Sequence, residues 1–273
     1  MCPGGPMSET PCHILTVDVG NTTTRLGLFA LADSADKTPR PLRTCDLTTP
    51  PRITTDEVRI QLIQARAVLG DAPLAGAILS CVVPALTDTW RRALTDIAPA
   101  RPLVVGPGLK SGMRLSYDNP SEVGPDRIAD AVAARAIWGA PAIIVDLGTT
   151  TNVEVIDQTG AFAGGIIAPG IALGARALAE AAARLPQIEL RAPRRLIGTS
   201  TRSAMQSGVV FGEVARIDGL LDGIVAELGC PAPVILTGGD AARIAPLLRH
   251  EATVDTDLTL RGLTLLWQRN QRA

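Results

Sequence analysis

The sequence has few of the residues from which metal centres and disulfide frameworks are built. It contains only two histidines, His13 and His250, and five cysteines. The number of cysteines is odd and no pair has the C-x-x-C spacing, which argues against both a disulfide framework and a structural zinc site. The sequence therefore predicts reduced thiols, a cytoplasmic protein and no metal centre built on histidine.

Strong charge of one sign and long apolar runs are also missing. The formal net charge is −1 and the basic residues are scattered, so we expect no nucleic-acid partner. No apolar run reaches the roughly 18 residues that a membrane span needs, so we expect no membrane association. The first ten residues lack the charged and apolar regions of a signal peptide. We expect residues 1–12 to be a disordered leader, with Met7 as an alternative start.

One short motif, in contrast, occurs twice. Asp18-Val19-Gly20-Asn21-Thr22-Thr23 follows one apolar run, and Asp146-Leu147-Gly148-Thr149-Thr150-Thr151 follows another about halfway along the chain. In each copy the Gly permits a tight turn, whose N–H groups and hydroxyls suit phosphate, while the Asp suits a cation. The same residues are ordinary turn formers, so one copy alone is a weak signal. The repetition favours a phosphate site, and no G-x-x-x-x-G-K-[ST] loop competes with it.

The order of predicted elements is repeated as well. A chain of 273 residues, 46% of them hydrophobic, can form one large or two ordinary domains. Three strands, a helix, a strand, a helix and a strand are predicted over 13–105, and the same order with an insertion over 142–270. This order predicts mixed sheets covered by helices on both faces. We therefore predict two α/β lobes, 13–139 and 140–273, the first ending in a linking helix over 126–138.

The second half contains further predicted helices, an exposed segment and two Gly-Gly turns. Long helices are predicted over 203–228 and 240–248, whereas prolines and arginines predict an exposed excursion over 184–200. Gly-Gly turns occur at Gly164-Gly165 and Gly238-Gly239. We expect these loops to converge on a cleft between the lobes.

Several of these segments resemble a known family. The two motifs and the Thr237-Gly238-Gly239 turn resemble the phosphate and adenosine elements of the superfamily of acetate and sugar kinases, actin and heat-shock chaperone ATPases. The segment Asp118-Asn119-Pro120-Ser121-Glu122-Val123-Gly124-Pro125-Asp126-Arg127 is similar to the substrate segment of type III pantothenate kinases. Further similar segments are 80–84, 164–170, 197–201, 204–208 and 255–263. The resemblance covers nearly all of 13–270 and implies duplicated actin-like (ribonuclease H-like) domains with mixed five-stranded sheets.

The resemblance implies ATP-dependent phosphorylation of pantothenate to 4′-phosphopantothenate, the first step of coenzyme A biosynthesis. It assigns nucleotide binding to Asp18, Val19, Gly20, Asn21, Thr22, Thr23, Thr24, Arg25, Thr149, Gly238 and Gly239. It assigns pantothenate binding to Tyr117, Gly124, Pro125, Asp126, Arg127 and Thr201. It further implies that Asp18 is directed at Mg²⁺ and that Asp146 holds a monovalent cation, K⁺ or NH4⁺.

Three site residues have competing interpretations. Asp126 is the candidate general base, because a carboxylate at a helix start is favoured in its ionised form, but it is also a plausible helix cap. Arg127 has a planar fork suited to the pantothenate carboxylate, or it forms a surface ion pair. Thr201 resembles a substrate contact supplied across a homodimer interface, or it is a helix N-cap.

The sequence also departs from the family pattern. Pro125 replaces an Ala and removes a backbone N–H, while Asn152 and Glu154 replace a Thr and an Asp near the second motif. We expect these changes to retune cation or nucleotide binding. The alternative functions are a kinase of another small hydroxylated metabolite and a nucleotide-binding regulator on the same fold. The segment from Tyr117 to Arg127 favours pantothenate over both.

Overall fold

The computed structural model describes residues 13–31 and 38–271. The leader predicted at 1–12 lies outside these residues. The chain divides into two compact units: unit 1 holds the described residues up to 112 together with 121–133 and 259–271, and unit 2 holds 113–120 and 134–258. In the described ranges no helix is long and apolar enough to cross a membrane.

Unit 1 is built on a five-stranded sheet with strand order β3-β2-β1-β4-β5. Its strands are β1 His13–Val19, β2 Thr23–Ala30, β3 Arg43–Thr48, β4 Leu74–Cys81 and β5 Leu103–Val104, and its helices are α1 Thr55–Leu69, α2 Pro84–Thr95 and the first part of α3 Pro125–Trp138. The strands β1, β2 and β3 pair antiparallel, whereas β4 pairs parallel with β1 and β5. The predicted mixed sheet is confirmed.

Unit 2 repeats this arrangement with strand order β10-β9-β6-β7-β8. Its strands are β6 Ala142–Leu147, β7 Thr150–Ile156, β8 Phe162–Pro169, β9 Val234–Thr237 and β10 Thr253–Val254, and its helices are α4 Ile171–Ala181, α5 Thr201–Gln206, α6 Gly212–Leu228 and α7 Ala241–Ile244. Strands β6, β7 and β8 pair antiparallel, and β9 pairs parallel with β6 and β10. Read from the opposite edge, the order and pairing directions match unit 1, so the predicted duplication is visible in the topology.

Helices cover both faces of the first sheet. Side chains alternate between the faces of a strand, and Leu15, Val17 and Val19 of β1 pack with Leu62 of α1 and Trp90 of α2 in one buried cluster. The opposite face carries glycines that admit the last described helix, α8 Leu258–Gln271.

Two glycines make this close approach possible. A Cβ at Gly27 would lie 3.0 Å from Leu260 Cδ1, and a Cβ at Gly76 would lie 2.9 Å from the indole nitrogen of Trp267. The structure therefore places α8 in unit 1, although the sequence had assigned it to the second lobe. A glycine in a strand typically marks this kind of close approach.

Two predicted helices are less regular than expected. The helix predicted over 203–228 is α5, a π-helical segment Ser207–Phe211 and α6 in succession. The helix predicted over 240–248 ends at Ile244 and continues as a 3-10 turn through Pro246, because proline cannot donate the hydrogen bond that an α-helix requires. π segments of one turn occur often near functional sites.

Candidate active site

The first repeated motif forms a tight turn between β1 and β2. The amide of Gly20 donates to the Thr23 carbonyl at 3.0 Å, and the amide of Thr49 donates to the Thr22 carbonyl at 3.0 Å. The buried hydroxyls of Thr24 and Thr49 share a hydrogen bond of 2.7 Å. A Cβ at Gly20 would lie 2.9 Å from the Thr23 carbonyl oxygen, so this position requires glycine.

A row of polar side chains crosses the first sheet beside this turn. Asp18 lies directly opposite Arg25 of β2 and Ser80 of β4, and Arg25 lies opposite Asp46 of β3. Arg25 Nε is 3.3 Å from Asp46 Oδ1. Directly opposed residues lie on the same face of a sheet, so Asp18 has a cation on one side and a hydroxyl on the other.

The second motif forms the equivalent turn in unit 2. The amide of Gly148 donates to the Thr150 carbonyl at 3.0 Å, and the amide of Gly170 donates to the Thr149 carbonyl at 3.2 Å. Asp146 lies opposite Asn152 on β7 and Thr237 on β9. Both turns therefore place an Asp next to a hydroxyl residue of the parallel neighbour strand.

The Gly238 turn packs directly against this second turn. Gly238 has a φ of +86°, and a Cβ there would overlap Asp146 Oδ1 and lie 2.6 Å from the Leu147 carbonyl oxygen. The amide of Asp240 donates to the same Leu147 carbonyl at 3.2 Å. The structure thus brings Asp146 and the second turn together with the Gly238-Gly239 turn at one edge of this sheet.

In unit 1, Asp126 lies in the first turn of α3. The helix begins at Pro125, where the N–H is not needed for helical bonding and the fixed φ of proline favours the helix. The loss of that N–H therefore does not disturb α3. The amide of Arg127 donates to Asp126 Oδ1 at 2.8 Å, and a Cβ at Gly124 would overlap this same oxygen.

Burial raises the pKa of the Asp126 carboxyl above its ordinary value of 3.8, while the amide and the charge of Arg127 act in the opposite direction. The net shift towards neutral pH is the shift that a general base requires. The bond from the Arg127 amide also satisfies one free N–H of the helix start. Asp126 therefore has features of both a general base and a helix cap, the two interpretations that the sequence left open.

The other predicted substrate residues lie in different settings. Arg127 is only 6% exposed, so its interpretation as a surface ion pair is wrong. In unit 2, the ring of Tyr117 packs on buried Phe162, with 6.2 Å between ring centroids. Thr201 is exposed at the first position of α5, and Ser200 is the N-cap, in a reciprocal capping box with Ser203. The N-cap interpretation of Thr201 is therefore wrong as well.

Comparison with known proteins assigns the family. Residues 14–223 match the family model described as type III pantothenate kinase. The chain belongs to the type III pantothenate kinase family. A type III pantothenate kinase of Parafrankia sp. is 43% identical over 262 residues, covering 94% of this chain and 98% of the relative. The resemblance read from the sequence is confirmed, and so is the prediction that the protein is a kinase.

Solved structures agree on the fold. A Baf family protein from Campylobacter jejuni superimposes with a TM-score of 0.59 at 20% identity, covering 95% of this chain and 100% of that chain. MreB 5 of Spiroplasma citri bound to AMPPNP superimposes with a TM-score of 0.51 at 10% identity, covering 98% of both chains. These likenesses confirm the predicted actin-like α/β fold.

Two departures from the pattern of the type III pantothenate kinase family lie beside Asp146. Asn152 is 8% exposed and directly opposes Asp146, and Glu154 is fully buried two residues further along β7. The alternation of a strand places both on the face that carries Asp146. The structure thus puts both replacements close to the carboxylate that the sequence assigned to a monovalent cation.

The carboxylate at the first turn suits a metal ion that is held mainly by a nucleotide. Among residues 13–31 and 38–271, no group of three His, Cys, Asp or Glu side chains is arranged to hold a metal ion. Mg²⁺ commonly binds through one or two carboxylates and substrate phosphates. A single carboxylate such as Asp18, at a phosphate-type turn, fits that mode.

Sequence reasoning missed two buried residues next to the first motif. Thr49 contacts the turn through its amide and hydroxyl, and Ser80 is fully buried beside Asp18. Ser80 lies in a segment that the family resemblance had marked without a role. Thr49 follows β3 and precedes two prolines, and nothing in that pattern indicates the contact.

Proposed function

We propose that the protein transfers the γ-phosphoryl group of ATP to the primary hydroxyl of pantothenate and so forms 4′-phosphopantothenate, the entry step of coenzyme A biosynthesis. The observation that carries the proposal is the family match over 14–223, on a chain whose two sheets each present an Asp-bearing phosphate-type turn. Phosphoryl transfer depends mainly on positioning and charge neutralisation. Both turns offer those functions.

Within this proposal Asp126 takes the proton of the pantothenate hydroxyl. The raised pKa of Asp126 supports the role, because a base whose pKa lies nearer the working pH accepts a proton more readily in the transition state. Arg127, buried beside it, supplies positive charge for the pantothenate carboxylate. Tyr117 and Gly124 are further residues proposed to bind pantothenate.

The nucleotide is proposed to bind along both turns. Amides and hydroxyls of residues 18–25 and of Thr149 contact its phosphates, and the Gly238-Gly239 turn accepts the adenosine. Asp18 is directed at the Mg²⁺ that accompanies ATP, and Asp146 at K⁺ or NH4⁺. Bound Mg²⁺ neutralises the charge that develops on the phosphates.

We also propose a homodimer in which Thr201 of one chain completes the pantothenate site of the other. Thr201 is exposed and not used as a cap. Unit 2 exposes several large apolar side chains, among them Ile167 at 64%, Leu196 at 69% and Ile197 at 82%. Contiguous apolar side chains on a surface commonly mark an interface, and Leu196 and Ile197 are neighbours in the chain. A cytoplasmic location is part of the proposal and rests on the cysteine pattern.

The direct test is to incubate the purified protein with ATP, Mg²⁺, K⁺ and pantothenate and to detect 4′-phosphopantothenate by mass spectrometry. The matched control is the Asp126→Asn variant, which keeps the shape of the side chain. Product with the natural protein and a strong loss with the variant would support the proposal. ATP binding without product would instead favour another hydroxylated substrate or a regulatory role.

A further inference from the structure

A buried acidic side chain forms a hydrogen bond with the second phosphate-type turn. Thr151, at the start of β7, is 1% exposed, and its hydroxyl donates to Glu213 Oε1 at 2.7 Å. Glu213 lies on α6, 62 residues further along the chain, and is 5% exposed. Buried carboxylates are rare unless they are paired and hydrogen-bonded. The Thr151 hydroxyl is one of the partners that Glu213 needs in this buried position.

Arg216, one helical turn after Glu213, completes the anchor. Its Nη2 donates to Glu213 Oε2 and, at 2.7 Å, to the carbonyl of Pro169. Pro169 ends β8 and precedes Gly170, whose amide donates to the Thr149 carbonyl. The pair formed by Glu213 and Arg216 therefore contacts the turn from two sides, through the Thr151 hydroxyl and through the backbone at Pro169.

The duplicated half of the chain shows what this anchor replaces. In unit 1 the residue after β3, Thr49, donates its amide to the turn and bonds the Thr24 hydroxyl with its own hydroxyl. In unit 2 the residue in that position is Gly170, which donates the same amide bond but has no side chain.

A side chain at Gly170 is excluded by geometry. A Cβ there would lie 2.5 Å from the carbonyl oxygens of both Gly148 and Thr149. Thr151, the second residue of β7, consequently needs another partner for its hydroxyl, because a buried unpaired hydroxyl is costly. Glu213 supplies that partner from α6.

We propose that Glu213 is a positioning residue for nucleotide binding, which holds the Gly148–Thr151 turn in its phosphate-binding shape through Thr151 and, together with Arg216, through Pro169. This inference rests on the proposed function, because it assumes that the turn binds ATP phosphates. Glu213 does not contact the nucleotide. It fixes the backbone whose N–H groups do so, as a supporting residue does for a preorganised site.

The inference is tested with Glu213→Ala and Glu213→Gln, measured by calorimetric titration with MgATP and by steady-state kinetics. One hydrogen bond to a charged group typically shifts a folding equilibrium by about tenfold or more. Because the inference couples the shape of the turn to this bond, we expect Glu213→Ala to raise the Kd and KM for ATP by up to about tenfold. The KM for pantothenate should change much less. Glu213→Gln retains an acceptor for the Thr151 hydroxyl, so its Kd for ATP should lie between those of the natural protein and Glu213→Ala.

The matched control is Asp218→Asn. Asp218 is a second buried acid of α6, 4% exposed, and it binds the Arg249 amide at 3.1 Å on another part of unit 2. We expect this variant to lower the melting temperature without changing the Kd for ATP. Equal changes in ATP affinity for the Glu213 and Asp218 variants would mean that destabilisation of α6 alone explains the effect, which would overturn the inference.

Thr151→Val provides a test that does not depend on the folding of Glu213→Ala. Valine keeps the shape of threonine without the hydroxyl, so the variant should weaken ATP binding, and adding Glu213→Gln to it should have less effect than in the natural protein. Unchanged ATP affinity in both Thr151→Val and Glu213→Gln would refute the positioning role. Natural protein that binds ATP but does not phosphorylate pantothenate would refute the proposed function and leave this inference standing.

Discussion

Asp18 and Asp146 occupy the same position in the two sheets. Each is the second-last residue of the central strand, and each directly opposes a hydroxyl residue of the parallel neighbour strand, Ser80 and Thr237. The antiparallel neighbours differ, because Asp18 faces Arg25 whereas Asp146 faces Asn152. The duplicated carboxylates therefore lie in different electrostatic surroundings, which agrees with different ionic partners in the proposed mechanism.

Replacing Asp126 should separate chemistry from nucleotide binding. We expect Asp126→Asn to lower kcat by about 10²-fold or more, the usual scale for loss of a general base, because an amide cannot accept the proton. The Kd for ATP should change little. Stopped-flow or coupled-assay kinetics with calorimetry would measure both. Turnover close to that of the natural protein would assign Asp126 to helix capping only.

The pH dependence of kcat and of stability should reflect the raised pKa of the Asp126 carboxyl. Since burial raises the pKa of Asp126, kcat should begin to fall with decreasing pH at a higher pH than an ordinary carboxylate would give. The folded state binds this proton more tightly than the unfolded state does. The free energy of unfolding should therefore fall as pH rises from 3.8 to the raised pKa and stay lowered above it.

Asp126→Asn should remove that loss and be more stable than the natural protein near neutral pH. Denaturant titrations of both proteins across this pH range would measure the difference. Identical stability curves would contradict the raised pKa.

Gly238 should tolerate no side chain. Gly238→Ala would place a methyl group against Asp146 and the Leu147 carbonyl at a positive φ, and we expect a loss of about 1–3 kcal/mol of stability, the usual range for such backbone strain, with weaker ATP binding. Gly219→Ala is the matched control, since Gly219 lies exposed within α6 with open space around its Cα. That control should be neutral or slightly stabilising.

Turnover should depend on the monovalent cation. Asp146 of β6 and the fully buried Glu154 of β7 lie on one face of the sheet, which places two carboxyl groups where the cation is proposed. We expect slower turnover in Na⁺ than in K⁺, and Glu154→Asp should change the cation preference more than the KM for pantothenate. Equal rates in K⁺, Na⁺ and a bulky organic cation would exclude a specific ion site.

Shared active sites should allow two inactive chains to complement each other. We expect Asp126→Asn and Thr201→Arg to be inactive alone, the added Arg blocking the pocket. In a mixed dimer one site would carry both changes and the other neither, so up to about half of the sites should work. Native mass spectrometry would verify exchange of subunits. Mixed dimers without turnover would place Thr201 within its own site or outside any site.

The parts of the fold that depend on local pattern were predictable from the sequence. Helical spacing gave the linking helix as 126–138, within one residue of the observed α3, Pro125–Trp138. The π segment after Gln206 and the two-residue strand β10 were missed. Neither has a repeating pattern long enough to be recognised.

In the candidate site, too, the local features were predictable from the sequence and the long-range contacts were not. The repeated turns contain their glycines and aspartates within six consecutive residues, so the sequence displays them together. The support for those turns comes from distant residues, such as Thr49 for Thr24 and Glu213 for Thr151, and only the folded chain brings these pairs together. A Glu among the mainly apolar residues of the buried face of α6 is the signal that could have pointed to the second pair.

The placement of α8 affects the order in which the chain can fold during synthesis. A Cβ at Gly262 would overlap the Ala129 carbonyl, so α8 packs tightly on α3 as well as on the first sheet. Every residue of unit 2 except Leu258, the first residue of α8, leaves the ribosome before α8 does. Although domains generally fold from the N-terminus during translation, here the N-terminal sheet has one face uncovered until α8 emerges, and unit 2 can reach its native state first.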